Sequence, residues 1–274
     1  MNASTAGTLD LAAVKARQQA TWASGDYAAV ATLIVPVAER LIDLADLPAG
    51  ARVLDVATGS GNAALAAARY GYDVTGTDYV DTLLARARER AAVERLSIDF
   101  RVGDVEDIEY ETASFDGVVS VFGSMFAPDH QQAAAEMLRV TRQGGTIALA
   151  SWAPDGYIGE LFRTVASFIA PPPGLASPML WGTPEHLEQI FGPGVSWEHS
   201  RETYTFRFAS AEAFADYFTT YYGPTLKVRE ALGERGDEFH AALVELAQRW
   251  NRLTGDGPVA IPSAYLASVG RRIS

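Results

Sequence analysis

Between residues 50 and 152 the chain alternates short apolar runs with longer amphipathic or alanine-rich stretches. The apolar runs are rich in β-branched residues, which is typical of strands, whereas the stretches between them have helical periodicity. The pattern predicts strands at residues 52–57, 72–78, 97–104, 115–122 and 145–152, and helices at residues 63–70, 80–94 and 130–141. Strands separated by helices of this length form right-handed βαβ units, so we expect an α/β fold with a doubly wound, mostly parallel sheet.

Helical patterns flank this core on both sides. Residues 9–45 predict helices broken near Gly25 and Pro36, and a proline-rich segment follows the last core strand. Residues 195–208 predict a strand, residues 210–222 and 237–253 predict helices, and residues 259–272 predict a final strand in which Pro262 favours an edge or a strand start. We therefore expect an N-terminal helical lid (1–48) and a main domain (49–274). Within the main domain the ligand-binding core is 50–152, and substrate-cap segments cover about 153–190 and 210–255.

Composition narrows the functions that this fold could serve. The net charge of −12 repels nucleic-acid phosphates and anionic lipids, so we expect neither nucleic-acid binding nor stable membrane association. No apolar run approaches the roughly 20 residues needed to cross a bilayer, and the N-terminus lacks the pattern of a signal peptide, which together predict a cytoplasmic protein. Cysteine is absent, and no carboxylates or histidines have metal-ligand spacing, so no metal is expected.

The first core strand runs into a turn of small residues, in the sequence VLDVATGSGN at residues 53–62. Gly59 and Gly61 allow the backbone to approach a ligand closely, and the helix that follows offers free N–H groups at its start. The same turn also suits close packing of a helix on a strand. The two glycines alone leave both interpretations open.

Aspartates at the ends of the next two strands favour the ligand interpretation. Asp78 ends the second strand, where an acidic side chain can accept hydrogen bonds from the ribose hydroxyls of a nucleoside cofactor. Asp104 follows the third strand at the same edge of a parallel sheet. Asp78 could instead cap the next helix, and Asp104 could serve only in a turn. Three consecutive strands with such ends are hard to explain by turn chemistry alone.

The motifs VLDVATGSG, GTDYV, RVGDVED, FDGVVSVFGSMFAPD and RVTRQGGTIALASW occur in this order along the chain. In these motifs the sequence resembles the class I S-adenosylmethionine-dependent methyltransferases, and most of all the branch of ubiquinone and menaquinone biosynthesis. The resemblance is close over residues 50–152 and looser in the flanks. It implies a Rossmann-like, seven-stranded sheet with an antiparallel last strand, S-adenosyl-L-methionine as cofactor, and S-adenosyl-L-homocysteine as its product.

The resemblance also implies roles for individual residues at the strand ends. Asp55 and the glycine turn would contact the methionine end of the cofactor, Asp78 the ribose hydroxyls, and Tyr79 the adenine. The family usually has glycine where this chain has Ala57, and the extra methyl group is expected to shift the methionine moiety slightly. The predicted cofactor-binding residues are Trp22, Asp55, Ala57, Thr58, Gly59, Gly61, Asp78, Tyr79, Gly103, Asp104, Val105 and Ser120.

Methyl transfer from a sulfonium is an in-line displacement, and a weakly acidic acceptor such as a phenol also needs a base. His130, after the fourth strand, is the candidate base, although a solvated place in the first turn of the next helix explains it as well. Apolar and aromatic residues are predicted to line a cavity for a small, apolar acceptor, aromatic, quinone-like or polyketide-like, although core packing explains most of them equally. These residues are Met125, Phe126, Trp152, Trp181 and Tyr221.

Two alternatives to a methyltransferase stay open at this point. One is an NAD(P)-dependent oxidoreductase on a Rossmann sheet, although Ala64 stands where G-x-G-x-x-G has its third glycine. The other is a protein that binds S-adenosylmethionine without catalysis. The sequence also leaves the oligomeric state open, a homodimer included.

Overall fold

A computed structural model describes residues 9–255 and 257–273 and is built around one sheet. Its strands are β1 (Arg52–Val56), β2 (Asp73–Asp78), β3 (Asp99–Val102), β4 (Phe115–Val121), β5 (Thr141–Trp152), β6 (Val195–Phe208) and β7 (Val259–Arg272). Their order across the sheet is β3-β2-β1-β4-β5-β7-β6. The pairs among β1 to β5 are parallel, whereas β7 is antiparallel to both of its neighbours. The predicted mostly parallel, seven-stranded sheet with an antiparallel last strand is confirmed.

Helices precede the sheet, connect its parallel strands and follow β5. None of those in the described residues is long and apolar enough to cross a membrane. They are α1 (Leu11–Trp22), α2 (Tyr27–Leu33), α3 (Val35–Ala45), α4 (Asn62–Arg69), α5 (Asp81–Glu94), α6 (His130–Val140), α7 (Tyr157–Phe168), α8 (Pro184–Phe191), α9 (Ala211–Tyr221), α10 (Gly223–Leu232) and α11 (Gly236–Arg249).

The centre of the sheet is buried, as expected for parallel strands that are covered by helices. Val53, Leu54 and Val56 of β1 are completely buried. In α4, which follows β1, the alanines from Ala63 to Ala67 are also buried. Because these side chains are single methyl groups, α4 packs close to the sheet. The turn that joins β1 to α4 is therefore held at the carboxyl edge of the sheet.

The long β6–β7 pair extends beyond the end of β5. β7 pairs with β6 over its whole length, but its pairing with β5 begins only at Tyr265. Pro262 lies in the extension, where β7 has no neighbour on the β5 side, so the missing N–H of proline costs no ladder hydrogen bond there. Pro262 therefore lies near the start of β7, in a part that is paired on one side only, although β7 is an inner strand of the sheet.

The N-terminal helices and the late helices meet through their backbones. Gly25 forms an isolated β-bridge with Tyr222, and the N–H of Asp26 donates to Tyr221 O at 3.1 Å. A Cβ on Gly223 would lie 2.1 Å from Thr21 O, so only glycine permits this approach. The α1–α2 and α9–α10 segments thus form one continuous roof. The division of the chain at residue 48 stays a prediction, and residues 1–8 of the predicted lid lie outside the described residues.

Candidate functional site

The turn after β1 has a left-handed backbone at three alternate positions. Ala57, Gly59 and Gly61 have φ of +50°, +57° and +87°. At Gly59 a Cβ would lie 3.4 Å from the ring of Tyr27, an ordinary van der Waals contact, so glycine is favoured here by the left-handed backbone and not by lack of space. Ala57 adopts the left-handed conformation without being glycine, which is uncommon and costs conformational energy.

Ala57 packs directly against Gly123, the second residue after β4. A Cβ on Gly123 would lie 2.4 Å from the carbonyl oxygen and 2.7 Å from the Cβ of Ala57. Real Cβ atoms do not approach backbone this closely, so the two strand ends can meet only because this position has no side chain. The preceding residue, Phe122, also has a positive φ, of +58°. The backbone is therefore strained at the ends of both β1 and β4.

Asp55 holds the turn from inside. Its Oδ2 accepts hydrogen bonds from Thr58 Oγ1 at 2.5 Å and from the N–H of Ala64 at 2.9 Å. The carboxyl group is 1% exposed. Burial raises its pKa to about 7, against the opposing effect of these hydrogen bonds.

Asp78, at the end of β2, holds the same turn from the neighbouring strand. Its Oδ2 accepts from the N–H of Gly59 and its Oδ1 from the N–H of Val80, both at 2.8 Å. Burial raises the pKa of Asp78 to about 6. Since this folded pKa lies above the unfolded one, the stability that Asp78 contributes is complete below its unfolded pKa and is lost as pH rises through about 6.

Asp104 contacts helix α1 of the predicted lid instead of the turn after β1. Lys15 of α1 places its Nζ 2.5 Å from Asp104 Oδ2 and 2.6 Å from Glu106 Oε2. Burial lowers the pKa of Lys15, but the hydrogen bonds to both carboxylates outweigh this effect and raise it overall. Gln19, one turn further along α1, donates to Tyr79 O at 2.6 Å. Three polar contacts, made by two side chains of α1, therefore fasten this helix to the edge of the sheet.

A cleft of about 850 Å³, measured to its open mouth, lies between these strand ends and the lid. The carboxylates of Asp55, Asp78 and Asp104 lie on the sheet side of the cleft. Aromatic residues of α1 and α2 close the opposite side. Its lining is Trp22, Tyr27, Ala31, Ile34, Asp55, Ala57, Thr58, Gly59, Ser60, Asn62, Ala63, Asp78, Tyr79, Leu83, Gly103, Asp104, Val105, Val121, Phe122, Gly123, Phe126, Ala127 and Pro128.

A second, smaller cavity adjoins the cleft beneath the roof and encloses about 400 Å³ of space when its opening to solvent is included. The two cavities share the side chains of Trp22, Tyr27, Ile34, Phe122 and Phe126. We call this second cavity the aromatic chamber. It is lined by Trp22, Tyr27, Val30, Ile34, Phe122, Phe126, Trp152, Ile158, Leu161, Phe206, Phe218 and Tyr222.

Comparison with known proteins identifies the family. A family described as a methyltransferase domain matches residues 54–149, which carry all three carboxylates. An uncharacterised protein of Mycobacterium tuberculosis is 37% identical over 245 residues, which cover 86% of this chain and 88% of that protein. The demethylmenaquinone methyltransferase of Deinococcus radiodurans is 38% identical over 124 residues, 44% of this chain and 52% of that enzyme. The chain belongs to the class I S-adenosylmethionine-dependent methyltransferases.

The fold agrees with this membership. The YcgJ protein of Bacillus subtilis superposes on 86% of this methyltransferase and 98% of its own chain, with a TM-score of 0.59 and 18% identity. Because the chain belongs to the methyltransferases, the alternative of an NAD(P)-dependent oxidoreductase is ruled out. At the place of the third Rossmann glycine, the N–H of Ala64 is bound to Asp55.

The structure brings most of the predicted cofactor residues of the methyltransferase to the cleft. Gly61 and Ser120 do not line it. A Cβ on Gly61 would point at Leu65 and Ala87 behind the turn. Ser120 Oγ donates to Val56 O and accepts from the N–H of Ser124, so its hydroxyl is used by the backbone. The predicted residues in the cleft are Trp22, Asp55, Ala57, Thr58, Gly59, Asp78, Tyr79, Gly103, Asp104 and Val105.

Of the residues predicted to bind the acceptor, some line the aromatic chamber and others do not. Phe126 and Trp152 line the chamber, whereas Met125, Trp181 and Tyr221 do not. Met125 and Trp181 are completely buried in the core. Tyr221 is 37% exposed and packs on Tyr217 outside the chamber. Of the two neighbouring tyrosines at the end of α9, Tyr222 lines the chamber and Tyr221 does not.

His130, the candidate base, lies outside the lining of both cavities. Its Nδ1 is 2.9 Å from Nε2 of His186 in α8, and its ring packs edge-on against Trp181. Burial, with a smaller contribution from His186, lowers the pKa of His130 to about 4. The two imidazoles are therefore neutral near pH 7, and one donates its N–H to the other.

Sequence reasoning missed several residues of the site. Tyr27 lines both cavities, although its position in the sequence gave only the signal of core packing. Phe122 stacks on Trp152 with ring centroids 3.8 Å apart and forms part of the wall between the cavities. The pattern marked it only as the last residue of a strand, so no signal set it apart.

Proposed function

We propose that this methyltransferase binds S-adenosylmethionine in the cleft and methylates a small, apolar acceptor, aromatic, quinone-like or polyketide-like, in the aromatic chamber. The observation that carries the proposal is the shared wall: a cleft with three carboxylates meets an apolar cavity across Trp22, Tyr27, Phe122 and Phe126. The relative from D. radiodurans, named a demethylmenaquinone methyltransferase, supports an aromatic acceptor.

The polar groups of the cleft fit those of the cofactor. Asp78 would accept from the ribose hydroxyls, and Asp104 with the backbone of Val105 would meet the adenine edge. Asp55 would face the methionine end, where the cofactor has a cationic ammonium group. Gly59 and the ring of Tyr27, which lie beside each other, both line this cleft.

When bound, S-adenosylmethionine supplies an electrophilic methyl group on a sulfonium. The chain's own contribution is to position the reactants and to exclude water. We expect the roof to position the reactants and to exclude water. Trp22 packs edge-on against Tyr27, Phe126 and Tyr222, with ring centroids 4.8 to 5.6 Å apart. These contacts close the aromatic chamber on its lid side.

The proposal is tested first by cofactor binding. In calorimetry, S-adenosylhomocysteine is expected to bind, whereas NAD⁺ and NADP⁺ at equal concentration are not. Incubation with methyl-labelled S-adenosylmethionine and a fractionated metabolite extract is then expected to label an apolar small molecule. Dinucleotide binding would overturn the cofactor assignment. Tight binding without any labelled product would favour the non-catalytic alternative.

The contacts of Lys15 lead to a prediction about cofactor release. Changing Lys15→Gln removes the ion pairs that fasten α1 beside the proposed adenine site. Because the three groups are partly buried, we expect a loss of roughly 1 kcal/mol in lid closure and a several-fold faster release of S-adenosylhomocysteine. Stopped-flow displacement measures the rate.

The matched control is Arg17→Gln, which makes the same charge change at an exposed site on the same helix. Its release rate is expected to equal that of the wild type. Added salt should accelerate release from the wild type more than from Lys15→Gln, since screening weakens an ion pair that the variant lacks. Equal rates in all three proteins would show that α1 does not retain the cofactor.

A further inference from the structure

No described residue that lines the aromatic chamber could act as a general base. The lining includes no carboxylate, imidazole, ammonium or guanidinium group among the described residues. The ionisable side chains of this described lining are the phenols of Tyr27 and Tyr222. Burial raises the pKa of both well above that of free tyrosine, so both hydroxyls remain protonated near neutral pH.

These two hydroxyls differ from those of other tyrosines under the roof. Tyr204 of β6 donates to Leu33 O, and Tyr217 of α9 donates to Ala29 O at 2.8 Å, so both hydroxyls fasten other elements to α2. No hydrogen bond joins the hydroxyl of Tyr27 or Tyr222 to another described residue. Each is therefore a donor without a protein partner among the described residues, on a side chain that lines the chamber.

The carboxylates of the cleft and the candidate base His130 already have hydrogen-bond or ion-pair partners. Asp55 and Asp78 accept hydrogen bonds from the glycine turn and its neighbours. Asp104 is bound to Lys15, and His130 to His186. None of them lines the chamber, so no described residue of its lining can receive a proton from a bound acceptor.

We propose that the acceptor brings its own negative charge: the chamber takes an apolar molecule with a hydroxyl acidic enough to be ionised near neutral pH, such as an electron-poor phenol or an enolised 1,3-dicarbonyl compound. This inference rests on the proposed methyl transfer and specifies its substrate class. Tyr27 and Tyr222 donate hydrogen bonds to the anionic oxygen.

The charges balance in this scheme. The acceptor's proton is released to bulk water before binding. An electron pair of the anion forms the new bond to the methyl carbon, and the pair of the broken S–C bond stays on sulfur. The sulfonium and the anionic oxygen thus become a neutral thioether and a neutral methylated product, a change that apolar surroundings favour because they solvate charged groups poorly.

Other acceptor classes fit the chamber less well. An ordinary alcohol would need a base that the lining does not provide. A protonated amine would be buried without a carboxylate to pair with it, which is costly. The lining thus favours an acceptor whose ionisation is a property of its own structure.

The experiment follows the protonation state of bound 4-nitrophenol, because its phenolate absorbs in the visible range. One sample of enzyme is saturated with sinefungin, a cofactor analogue with a cationic amine at the place of the sulfonium, and the other with neutral S-adenosylhomocysteine. With sinefungin, the phenolate is expected to bind roughly tenfold more tightly than the phenol, which lowers the apparent pKa of bound 4-nitrophenol by about one unit. With S-adenosylhomocysteine this preference should shrink.

Variants test the two donors. Tyr222→Phe and Tyr27→Phe are each expected to weaken phenolate binding roughly tenfold, as for a lost hydrogen bond to a charged group. They should leave the affinity for neutral 4-nitroanisole unchanged, which separates donor loss from damage to the cavity. Tyr221→Phe, next in sequence but outside the chamber, is the matched control and should bind both ligands as the wild type does.

The outcomes distinguish this inference from the proposed function. Binding of 4-nitrophenol only as the neutral phenol, equal binding of both forms, or no binding to an enzyme that holds sinefungin overturns the inference alone. Failure of sinefungin and S-adenosylhomocysteine to bind in calorimetry overturns the proposed function itself.

Discussion

Replacing Asp78 by alanine is expected to weaken the binding of S-adenosylhomocysteine by ten- to a hundredfold. Each hydrogen bond to a charged group contributes about 1.5–3 kcal/mol, and tenfold in affinity corresponds to about 1.4 kcal/mol. The substitution also removes the acceptor for the buried N–H groups of Gly59 and Val80, so the thermal midpoint should fall as well. Calorimetry well below the midpoint of the variant measures the affinity alone.

A carboxylate at the other end of the same strand supplies the control. Asp73 begins β2 and is exposed, so Asp73→Ala is expected to bind as the wild type does. The pH dependence adds a second readout. Ribose hydroxyls prefer the ionised carboxylate, so wild-type affinity should rise as pH increases through about 6, the pKa of Asp78, and this rise should be absent from Asp78→Ala. An unchanged affinity and pH profile would exclude Asp78 from the cofactor site.

Gly123→Ala is expected to damage both stability and cofactor binding. Its new Cβ would lie 2.4 Å from the carbonyl oxygen of Ala57, and backbone at the end of β1 must move to relieve the contact. Overpacking of this kind costs about 1–3 kcal/mol. Because Ala57 and Gly123 both line the cleft, the movement should also weaken S-adenosylhomocysteine binding by tenfold or more. Chemical denaturation and calorimetry measure the two effects.

The control for this substitution is Gly257→Ala. A Cβ there meets no atom within 4 Å and the backbone is not left-handed, so stability and affinity should both stay close to those of the wild type. Ala57→Gly in the Gly123→Ala background should restore little, since the contact with the carbonyl oxygen remains. A fully stable, fully binding Gly123→Ala protein would contradict the packing described between β1 and β4.

The sequence was sufficient to predict the sheet and the edge of it at which the cleft lies. Alternating strand and helix periods require a parallel sheet, and the carboxyl ends of its strands share one edge. Asp55, Asp78 and Asp104 are therefore predicted as neighbours from their places at strand ends, without any knowledge of side-chain contacts. The structure confirms the fold class and brings all three to one cleft.

Contacts between distant segments could not be predicted in this way. Lys15 meets Asp104 across 89 residues, and His130 meets His186 across 56. The choice between Tyr221 and Tyr222 as the chamber residue depends on how α9 ends against Gly25. Hydrophobic periodicity determines which face of an element is buried, because burial of apolar surface drives folding. What that face meets depends on the packing of the whole chain, so the tertiary structure alone decided the lid contacts, the lining of the chamber and the absence of a base among its described residues.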